Sequence, residues 1–439
     1  MKIYSSFRIE RTILVGFLAV ILAGAAALWL GNAPRGRVSF LDCLFTATSA
    51  VCVTGLATVD TGADFSRASQ VVILVLIQLG GLGVMTATTA LLYAFRRRIG
   101  IRQRMLFSGG LGLDSPSGAV RLAKKVVRIT ALIEALGAVP LFLAFRGSSP
   151  DPEALFLAVF HSVSAFCNAG FSPFSDSLQR FSGTVTIPLT VMTLILLGGA
   201  GFLVLDDMWN SVFRRKGRLS AHSRLVVVVS AVLVAAGALA LCVSDWNGAL
   251  AGHSWGWKLW NALFHSVSPR TAGFNTIPMD RLTSLGVFFT ILLMIVGASP
   301  GSTGGGIKTT SFALLLLSTV REIRGRDELV VGNRSIAREN VSLAFTLAVL
   351  YTLTLLAGIT VLAVLETLPF RALAFEVASA LGTVGLSLGI TASLSSAGKI
   401  MVILLMFWGR VGILTFMYGV AARETPSRVS YAETHIPVG

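Results

Sequence analysis

Residues 49–56 read SAVCVTGL, and this short pattern returns three more times along the chain. The related segments are SAFCNAGF at 164–171, SPRTAGF at 268–274 and SALGTVGL at 379–386. Each copy ends in a glycine followed by a bulky apolar residue, and these glycines are Gly55, Gly170, Gly273 and Gly385. They are 115, 103 and 112 residues apart. Such regular spacing predicts four structurally equivalent units in one chain.

The composition predicts a protein that crosses a membrane several times. Of the 439 residues, 54% are hydrophobic and only 13% are charged, and the mean hydropathy is +0.78. Soluble domains carry about 25% charged residues. The net charge of +15 would suit nucleic-acid binding, but the basic residues cluster in short loops between apolar runs, as the positive-inside rule describes. We therefore expect a lipid bilayer, and no nucleic acid, as the partner.

Eight apolar runs are close to the ~20 residues that a membrane-spanning helix needs. They fall at about 11–31, 70–95, 126–145, 184–212, 223–243, 283–320, 340–365 and 398–420. A shorter segment lies inside each successive pair and contains the repeated glycine, at about 39–57, 153–172, 257–275 and 370–387. We predict an all-α polytopic membrane protein built from four repeats of membrane helix, re-entrant P-loop and membrane helix, with pseudo-fourfold symmetry around a pore.

The distribution of Lys and Arg predicts the orientation of the chain. These residues concentrate at the N-terminus and in the loops after the second, fourth and sixth runs, so both termini are expected in the cytoplasm and the re-entrant segments enter from outside. The expected units are repeat 1 at 1–95, repeat 2 at 96–213, repeat 3 at 214–325, repeat 4 at 326–423 and a cytoplasmic tail at 424–439.

Four matched glycines suit a filter for a dehydrated monovalent cation. Such a cation needs a ring of oxygens in place of its water, and backbone carbonyls provide one where the chain is extended and points them inward. Glycine tolerates the required dihedrals and lets four strands approach one another. Ordinary helix packing by small residues is the alternative for a single glycine, and four matched copies disfavour it. The predicted K⁺-binding residues, through their backbone carbonyls, are Val53, Thr54, Gly55, Asn168, Ala169, Gly170, Thr271, Ala272, Gly273, Thr383, Val384 and Gly385.

The stretch SPGSTGGGIKTT, residues 299–310, nearly matches a phosphate-binding loop but has one residue too many before the lysine. Its flanks, ILLMIVGA and SFALLLL, are typical of membrane helices. One helix over 283–320 would be roughly 57 Å long, about twice the ~30 Å hydrocarbon core. We therefore predict an irregular loop within the membrane, able to obstruct a pore, and no nucleotide site. A hinge that packs without moving is the alternative.

Arg410 lies inside the last apolar run, where a charge is costly and normally faces the bundle interior or a cavity. A side chain that snorkels to the interface is the alternative. Lys308 is a weaker candidate for the same role. Glu134 and Glu366 are expected to lie away from the pore, and Glu376 is expected to start the fourth re-entrant helix.

These motifs resemble the Trk/Ktr/HKT superfamily of potassium transporters, and within it the Ktr-type membrane subunit. The resemblance covers nearly the whole chain. Trk-type subunits usually carry two additional N-terminal helices, whereas here the first apolar run leads directly to the first repeated segment. The resemblance rests on TSAVCVTGL (48–56), QLGGLGVMT (78–86), HSVSAFCNAGFSPFSDSL (161–178), HSVSPRTAGFNT (265–276), GASPGSTGGGIKTT (297–310), EVASALGTVGLS (376–387) and GRVGILT (409–415).

The resemblance implies a channel-like potassium-uptake subunit that conducts K⁺ passively and is not an enzyme. Members that favour sodium often have serine at the position of Gly55, so the glycine implies potassium selectivity. The family also implies a homodimer on a cytoplasmic ring of nucleotide-binding regulatory subunits, stimulation by Na⁺, and a prokaryotic plasma membrane. The gate residues that it implies are Ser299, Pro300, Gly301, Ser302, Thr303, Gly304, Gly305, Gly306, Lys308 and Arg410.

Other functions remain open at this point. The chain can be a Trk-type or Na⁺-conducting member of the same superfamily. An ion-coupled secondary transporter would use the broken helix at 299–306 as its substrate site, although such transporters usually have acidic residues in their spans and inverted repeats. An enzyme with a nucleotide site in the same loop would bind ATP as an isolated chain.

Overall fold

The computed structural model describes residues 3–32, 38–83, 119–213, 219–326, 328–331 and 334–412. The loop after the second apolar run, most of the loop after the fourth and the predicted tail at 424–439 lie outside these ranges. The described α-helices are α1 (Ile3–Asn32), α2 (Phe40–Cys52), α3 (Arg67–Gly81), α4 (Ala119–Phe145), α5 (Asp151–Phe166), α6 (Thr186–Ala200), α7 (Phe202–Phe213), α8 (Ala221–Asp245), α9 (Trp255–Val267), α10 (Ser284–Ile295), α11 (Thr309–Ile323), α12 (Arg338–Leu365), α13 (Phe370–Gly382) and α14 (Ser396–Val411). Two short antiparallel strands, β1 (Val330–Val331) and β2 (Arg334–Ser335), precede α12.

Four of these helices, α1, α4, α8 and α12, are long and apolar enough to cross a membrane. Each is the first helix of one predicted repeat. Only 17–28% of the residues in the apolar stretch of each helix are buried, so these helices form the outer layer of the protein. Large apolar side chains such as Leu136 and Leu239 are 63% and 66% exposed on them. Such surfaces suit contact with lipid rather than water.

The four short helices α2, α5, α9 and α13 lie inside this layer. Each packs against the long helix that precedes it in the chain. With 13 to 16 residues they are about 20–24 Å long, too short for the ~30 Å hydrocarbon core. Serine hydroxyls at Ser39 and Ser254 cap two of them by accepting first-turn amides, and prolines precede the other two. All four lie within the segments predicted to be re-entrant.

The helices close into a ring. The helix after each repeated segment packs against the short helix of the next unit: α3 against α5, α6 against α9, α10 against α13, and finally α14 against α2. At this last contact the Lys399 ammonium lies 2.7 Å from the Asp42 carboxylate, although the two residues are 357 positions apart. The first and fourth repeats are therefore neighbours.

The predicted continuous span at 184–212 is wrong. Helix α6 ends at Ala200, α7 begins at Phe202, and the two axes differ by 101°. Gly201 between them has φ +93°, and the Phe202 amide donates to the carbonyl of Gly301 at 2.9 Å. The bend exists because a distant loop packs against it, and an apolar run alone does not reveal that contact.

Replacing Gly201 by alanine is expected to lower the stability of the protein. A Cβ there would lie 2.5 Å from the Pro300 carbonyl oxygen, and alanine disfavours positive φ. We expect a cost of about 1–3 kcal/mol, seen as a lower thermal unfolding midpoint of the detergent-solubilised protein. Gly183→Ala is the control, because a Cβ there meets no atom within 4 Å. Equal midpoints for the two variants would contradict this reading of the bend.

The break predicted in the run 283–320 is present and is wider than 299–306. Helix α10 ends at Ile295 and α11 begins at Thr309. We call residues 296–308 the intramembrane loop. Its two arms are joined by backbone hydrogen bonds from Gly297 to Ile307 (2.9 Å) and from Ile307 to Ile295 (3.1 Å). These bonds satisfy part of the loop backbone internally, which matters at membrane depth because lipid offers no hydrogen-bond partners.

Candidate functional site

Each short helix is followed by a segment with the same rare backbone conformation. Five non-glycine residues in the described ranges have positive φ, and four of them stand two positions before a repeated glycine. These four are Val53, Asn168, Thr271 and Thr383, with φ of 58°, 59°, 71° and 51°, and the glycines that follow, Gly55, Gly170, Gly273 and Gly385, have φ of 95°, 69°, 79° and 95°. Branched residues such as Val53 avoid this region unless their surroundings impose it. We call residues 53–55, 168–170, 271–273 and 383–385 the glycine segments.

The serine that begins each repeated motif holds the backbone amides of its glycine segment. The Ser49 carbonyl accepts the Thr54 amide at 2.8 Å, and the Ser49 hydroxyl accepts the Gly55 amide at 3.0 Å. The matching amide-to-carbonyl bonds are Ala169–Ser164 (2.7 Å), Ala272–Ser268 (2.9 Å) and Val384–Ser379 (2.8 Å). No described backbone amide donates to a carbonyl oxygen of any glycine segment. These carbonyls therefore remain available as ligands.

The four glycines lie side by side in a closed ring. A Cβ on each would meet the carbonyl oxygen of the residue before the next glycine: Gly55 meets Ala169, Gly170 meets Ala272 at 2.8 Å, Gly273 meets Val384 at 2.6 Å, and Gly385 meets Thr54. The order around the ring is the order along the chain, and the fourth segment contacts the first. Only a residue without a side chain fits at these positions.

A polar cavity of about 470 Å³ lies on the side of the ring that follows the glycines in sequence. All four repeated glycines line it, and so do the carboxylates of Asp60, Asp176 and Asp280, whereas none of its described lining residues is basic. Asp176 is ion-paired with Arg180 at 2.7 Å. The uncompensated negative charge of the wall therefore comes from Asp60 and Asp280, and such a wall concentrates cations.

The intramembrane loop lies against the opposite end of the glycine segments. The Gly305 amide donates to the Thr383 hydroxyl at 3.1 Å, and a Cβ on Gly304 would collide with the Thr271 hydroxyl oxygen. Thr271 and Thr383 are the first residues of their segments, whereas the cavity adjoins the last residues. The loop and the cavity are therefore separated by the ring.

Arg410 joins the intramembrane loop to helix α3. Its guanidinium donates to the carbonyl oxygens of Thr303 and Gly80, so the side chain faces the bundle interior. Lys308 donates to the Gly304 carbonyl at 2.6 Å. Neither cation forms an ion pair within the part of the chain that the structure describes.

Four of the remaining predicted loop residues divide into two groups. Ser299 and Thr303 make contacts that hold the loop: Ser299 pairs with the Thr309 hydroxyl at 2.8 Å, and Thr303 donates to the Phe166 carbonyl at 3.4 Å. Pro300 and Gly301 instead contact the bend at Gly201. The loop thus links the ring to the bend between α6 and α7.

The expectation that Glu376 starts the fourth re-entrant helix is wrong, because α13 already begins at Phe370. It is fully buried, and its carboxylate accepts hydrogen bonds from the hydroxyls of Ser387 (2.7 Å) and Thr391 (2.5 Å). Ser387 lines the polar cavity. Glu376 therefore anchors the backbone beyond Gly385. The sequence did contain a signal for this role. Glu376 stands three residues before the motif serine, and His161 and His265 occupy the same position in the second and third repeats.

Glu134 lies in α4, as expected, and is not among the described residues that line the polar cavity. Its carboxylate accepts a hydrogen bond from Gln78 at 3.1 Å and lies 3.8 Å from the Cys167 sulfur. Cys167 directly precedes the second glycine segment. A half-buried carboxyl group thus packs behind the ring, between α3 and α4, where periodicity in the sequence gave no indication of a partner.

Similarity to known proteins covers nearly the whole chain. The family described as TrkH, cation transport protein, matches residues 11–430. Ktr system potassium uptake protein B from Bacillus subtilis (strain 168) is 36% identical over 99% of this chain and 97% of that protein. Potassium/sodium uptake protein NtpJ from Enterococcus hirae is 35% identical over 97% of this chain and 96% of that protein. The crystal structure of the potassium transporter TrkH from Vibrio parahaemolyticus has a TM-score of 0.73 and 22% identity, covering 92% of this chain and 84% of that one, and so shows a shared fold.

Proposed function

The chain belongs to the TrkH family of cation transport proteins, and on this premise we propose that it is the membrane subunit of a Ktr-type potassium-uptake system. The family is one of transport proteins rather than enzymes. The observation that carries the proposal is the closed ring of four glycine segments whose amides turn back to serines and whose carbonyls stay unbonded by described backbone amides. Such carbonyls replace the hydration shell of a permeating cation.

K⁺ is the proposed ion, and it binds at the backbone carbonyls of the glycine segments. Cations collect in the polar cavity beside Asp60, Asp176 and Asp280 and then enter the ring. An inside-negative membrane potential drives them inward with about 2.3 kcal/mol per charge per 100 mV. This conduction is passive and needs no nucleotide hydrolysis in this chain.

The intramembrane loop, with Lys308 and Arg410, is the proposed gate. It lies directly against the inner end of the ring, where Gly304 and Gly305 adjoin the first residues of two glycine segments. The two cations add a positive potential on the inner side of the ring, which opposes the passage of K⁺. Opening requires the loop to move away from Thr271 and Thr383.

We further propose a homodimer in a prokaryotic plasma membrane, with both termini in the cytoplasm. A cytoplasmic regulatory subunit that binds nucleotide would control the gate, and Na⁺ would stimulate transport. The relatives support this proposal through their names, which refer to a Ktr system and to potassium and sodium uptake. The Lys- and Arg-rich loops support the orientation.

A flux assay tests the proposed function. Proteoliposomes with high internal K⁺ and low external K⁺ hold an inside-negative potential and should accumulate radioactive Rb⁺. Adding external K⁺ to collapse the potential should stop the uptake, and liposomes without protein are the control. Uptake that follows an imposed proton gradient and ignores the membrane potential would favour a secondary transporter and contradict the proposal.

Neutralising the cavity carboxylates by the combined change Asp60→Asn, Asp176→Asn and Asp280→Asn should slow Rb⁺ uptake by about tenfold at low ionic strength, because the wall no longer concentrates cations. The difference should shrink above about 0.1 M salt, where the Debye length is ~10 Å. Asp151→Asn, outside the cavity, should leave uptake unchanged. A loss that does not depend on salt would contradict an electrostatic role.

A further inference from the structure

A second cavity, of about 270 Å³, lies beside the intramembrane loop, away from the polar cavity. Its walls come from the end of the loop and from α11, α12 and α14. Lys308 and Ser311 contribute polar atoms, Leu347 and Ile307 contribute apolar surface, and Arg410 lies on the α14 side. Lys308 and Arg410 are also proposed gate residues, but the proposed ion pathway assigns no ligand to this cavity.

The cavity brings together two cations that have no counter-ion among the described residues. Lys308 and Arg410 both line it, and their described hydrogen bonds end on the backbone carbonyls of Gly304, Thr303 and Gly80. No carboxylate in the described ranges forms an ion pair with either of them. Both residues are partly buried, and charges withdrawn from water are normally paired because their desolvation is costly. Two like charges on one wall therefore call for an anion.

The start of α11 adds further positive potential to the same wall. This helix has 15 residues and begins at Thr309, and the side chain of its N-cap residue, Lys308, makes no capping hydrogen bond. The amides of Thr310 and Ser311 donate to no described backbone carbonyl. The first helical hydrogen bond of α11 runs from the Phe312 amide to the Lys308 carbonyl at 3.0 Å. Unsatisfied amides and the helix dipole together favour an anion at this end.

Tyr351 supplies an independent indication of a ligand. It lines the cavity, its side chain is only 4% exposed, and its hydroxyl has no hydrogen-bond partner in the structure as described. Buried tyrosine hydroxyls usually find a partner. A ligand oxygen in the cavity would provide one.

We propose that this cavity binds a phosphate group, supplied in the membrane by the headgroup of an anionic phospholipid. Lys308, Arg410 and the amides at the start of α11 would hold the phosphate oxygens, and Leu347 and Ile307 would contact the apolar part of the lipid. A volume of about 270 Å³ suits a headgroup better than a whole nucleotide, because small-molecule sites usually span ~300–1,000 Å³. The near-match of residues 301–309 to a phosphate loop then reflects shared chemistry, a glycine-rich stretch that leads a lysine into a helix start. Binding here does not require that the chain conducts ions.

Native mass spectrometry of the full-length protein in detergent tests this site, with phosphatidylglycerol, phosphatidylcholine and inorganic phosphate as probes. We expect phosphatidylglycerol to bind in preference to phosphatidylcholine. Lys308→Gln should weaken its binding by about tenfold or more, because a charge-assisted hydrogen bond is lost, and Tyr351→Phe by about threefold. Lys308→Arg should retain binding. Arg324→Gln removes an exposed cation at the far end of the same helix and should bind as the unchanged protein does.

The outcomes answer three separate questions: whether the site binds phosphate, whether a lipid or free phosphate supplies it, and whether the proposed ion pathway holds. Direct binding of inorganic phosphate that is weakened by Lys308→Gln and Tyr351→Phe, without binding of phosphatidylglycerol, would support the site and assign free phosphate as its ligand. Equal phosphatidylglycerol binding by the unchanged protein and both variants, or no binding of either probe, would overturn the site. If Lys308→Gln fails to fold, Tyr351→Phe decides. Variant-sensitive binding by a protein that passes no Rb⁺ would leave the site standing and contradict the proposed pathway instead.

Discussion

Gly55→Ser is expected to abolish the preference for K⁺ over Na⁺ and to reduce Rb⁺ uptake. The new Cβ would collide with the Ala169 carbonyl oxygen and lie 3.0 Å from the Gly170 Cα, and serine disfavours the φ of +95° at this position. The Ala169 oxygen must therefore leave its place in the ring. A strain of about 1–3 kcal/mol, if borne by the K⁺-bound ring, corresponds to roughly 5- to 150-fold in selectivity.

The measurement is Rb⁺ uptake by proteoliposomes with and without competing Na⁺. Gly183→Ser is the matched control, because a side chain there meets no atom within 4 Å. Serine at Gly170, Gly273 or Gly385 should likewise lower the preference for K⁺ over Na⁺ and reduce Rb⁺ uptake, since each glycine abuts a carbonyl of the next segment. Unchanged selectivity in a folded Gly55→Ser protein would show that this glycine does not lie on the ion path.

Arg410→Ala is expected to raise Rb⁺ uptake by the chain without any regulatory subunit, by about tenfold or more. The guanidinium holds the Thr303 carbonyl of the loop and the Gly80 carbonyl at the end of α3, and each charged hydrogen bond is worth about 1.5–3 kcal/mol. Its removal frees the loop and also removes a positive charge from the inner side of the ring. Deletion of Gly304–Gly306 should also raise Rb⁺ uptake.

Arg410→Lys keeps the charge but cannot donate to both carbonyls as the guanidinium does. Its Rb⁺ uptake should therefore lie between that of the unchanged protein and that of Arg410→Ala. Arg321→Ala, at the end of α11 and paired with Glu322, is the control for a general loss of charge. Performing the assay in liposomes of phosphatidylcholine alone separates the gate from lipid binding. Equal or lower uptake by a folded Arg410→Ala protein would contradict a gating role.

The glycine segments and the break in the sixth apolar run were predictable because their signals are local. Each segment carries its own glycine and, five or six positions earlier, the serine that accepts its amides. The break follows from a run too long for the membrane and from one Pro and four Gly within 299–306. The ring order also follows the order of the repeats along the chain.

The features that escaped prediction depend on contacts between distant parts of the chain. The bend at Gly201 is held by Gly301, one hundred positions later, and the run around it reads as one apolar span. The partners of Arg410 are backbone carbonyls, and a carbonyl leaves no trace in residue identity. The contacts of Glu134 with Gln78 and Cys167 escaped prediction for a similar reason, because these partners come from distant parts of the chain.

The most direct test of the central claim is to locate the ion. Crystals of the protein grown with Rb⁺ should show anomalous scattering peaks on the axis of the ring, among the carbonyl oxygens of residues 53–55, 168–170, 271–273 and 383–385. Equivalent crystals of the Gly55→Ser protein should lose at least one of these peaks. Rb⁺ peaks found only outside the ring at saturating Rb⁺ would contradict a potassium pathway through the four glycine segments.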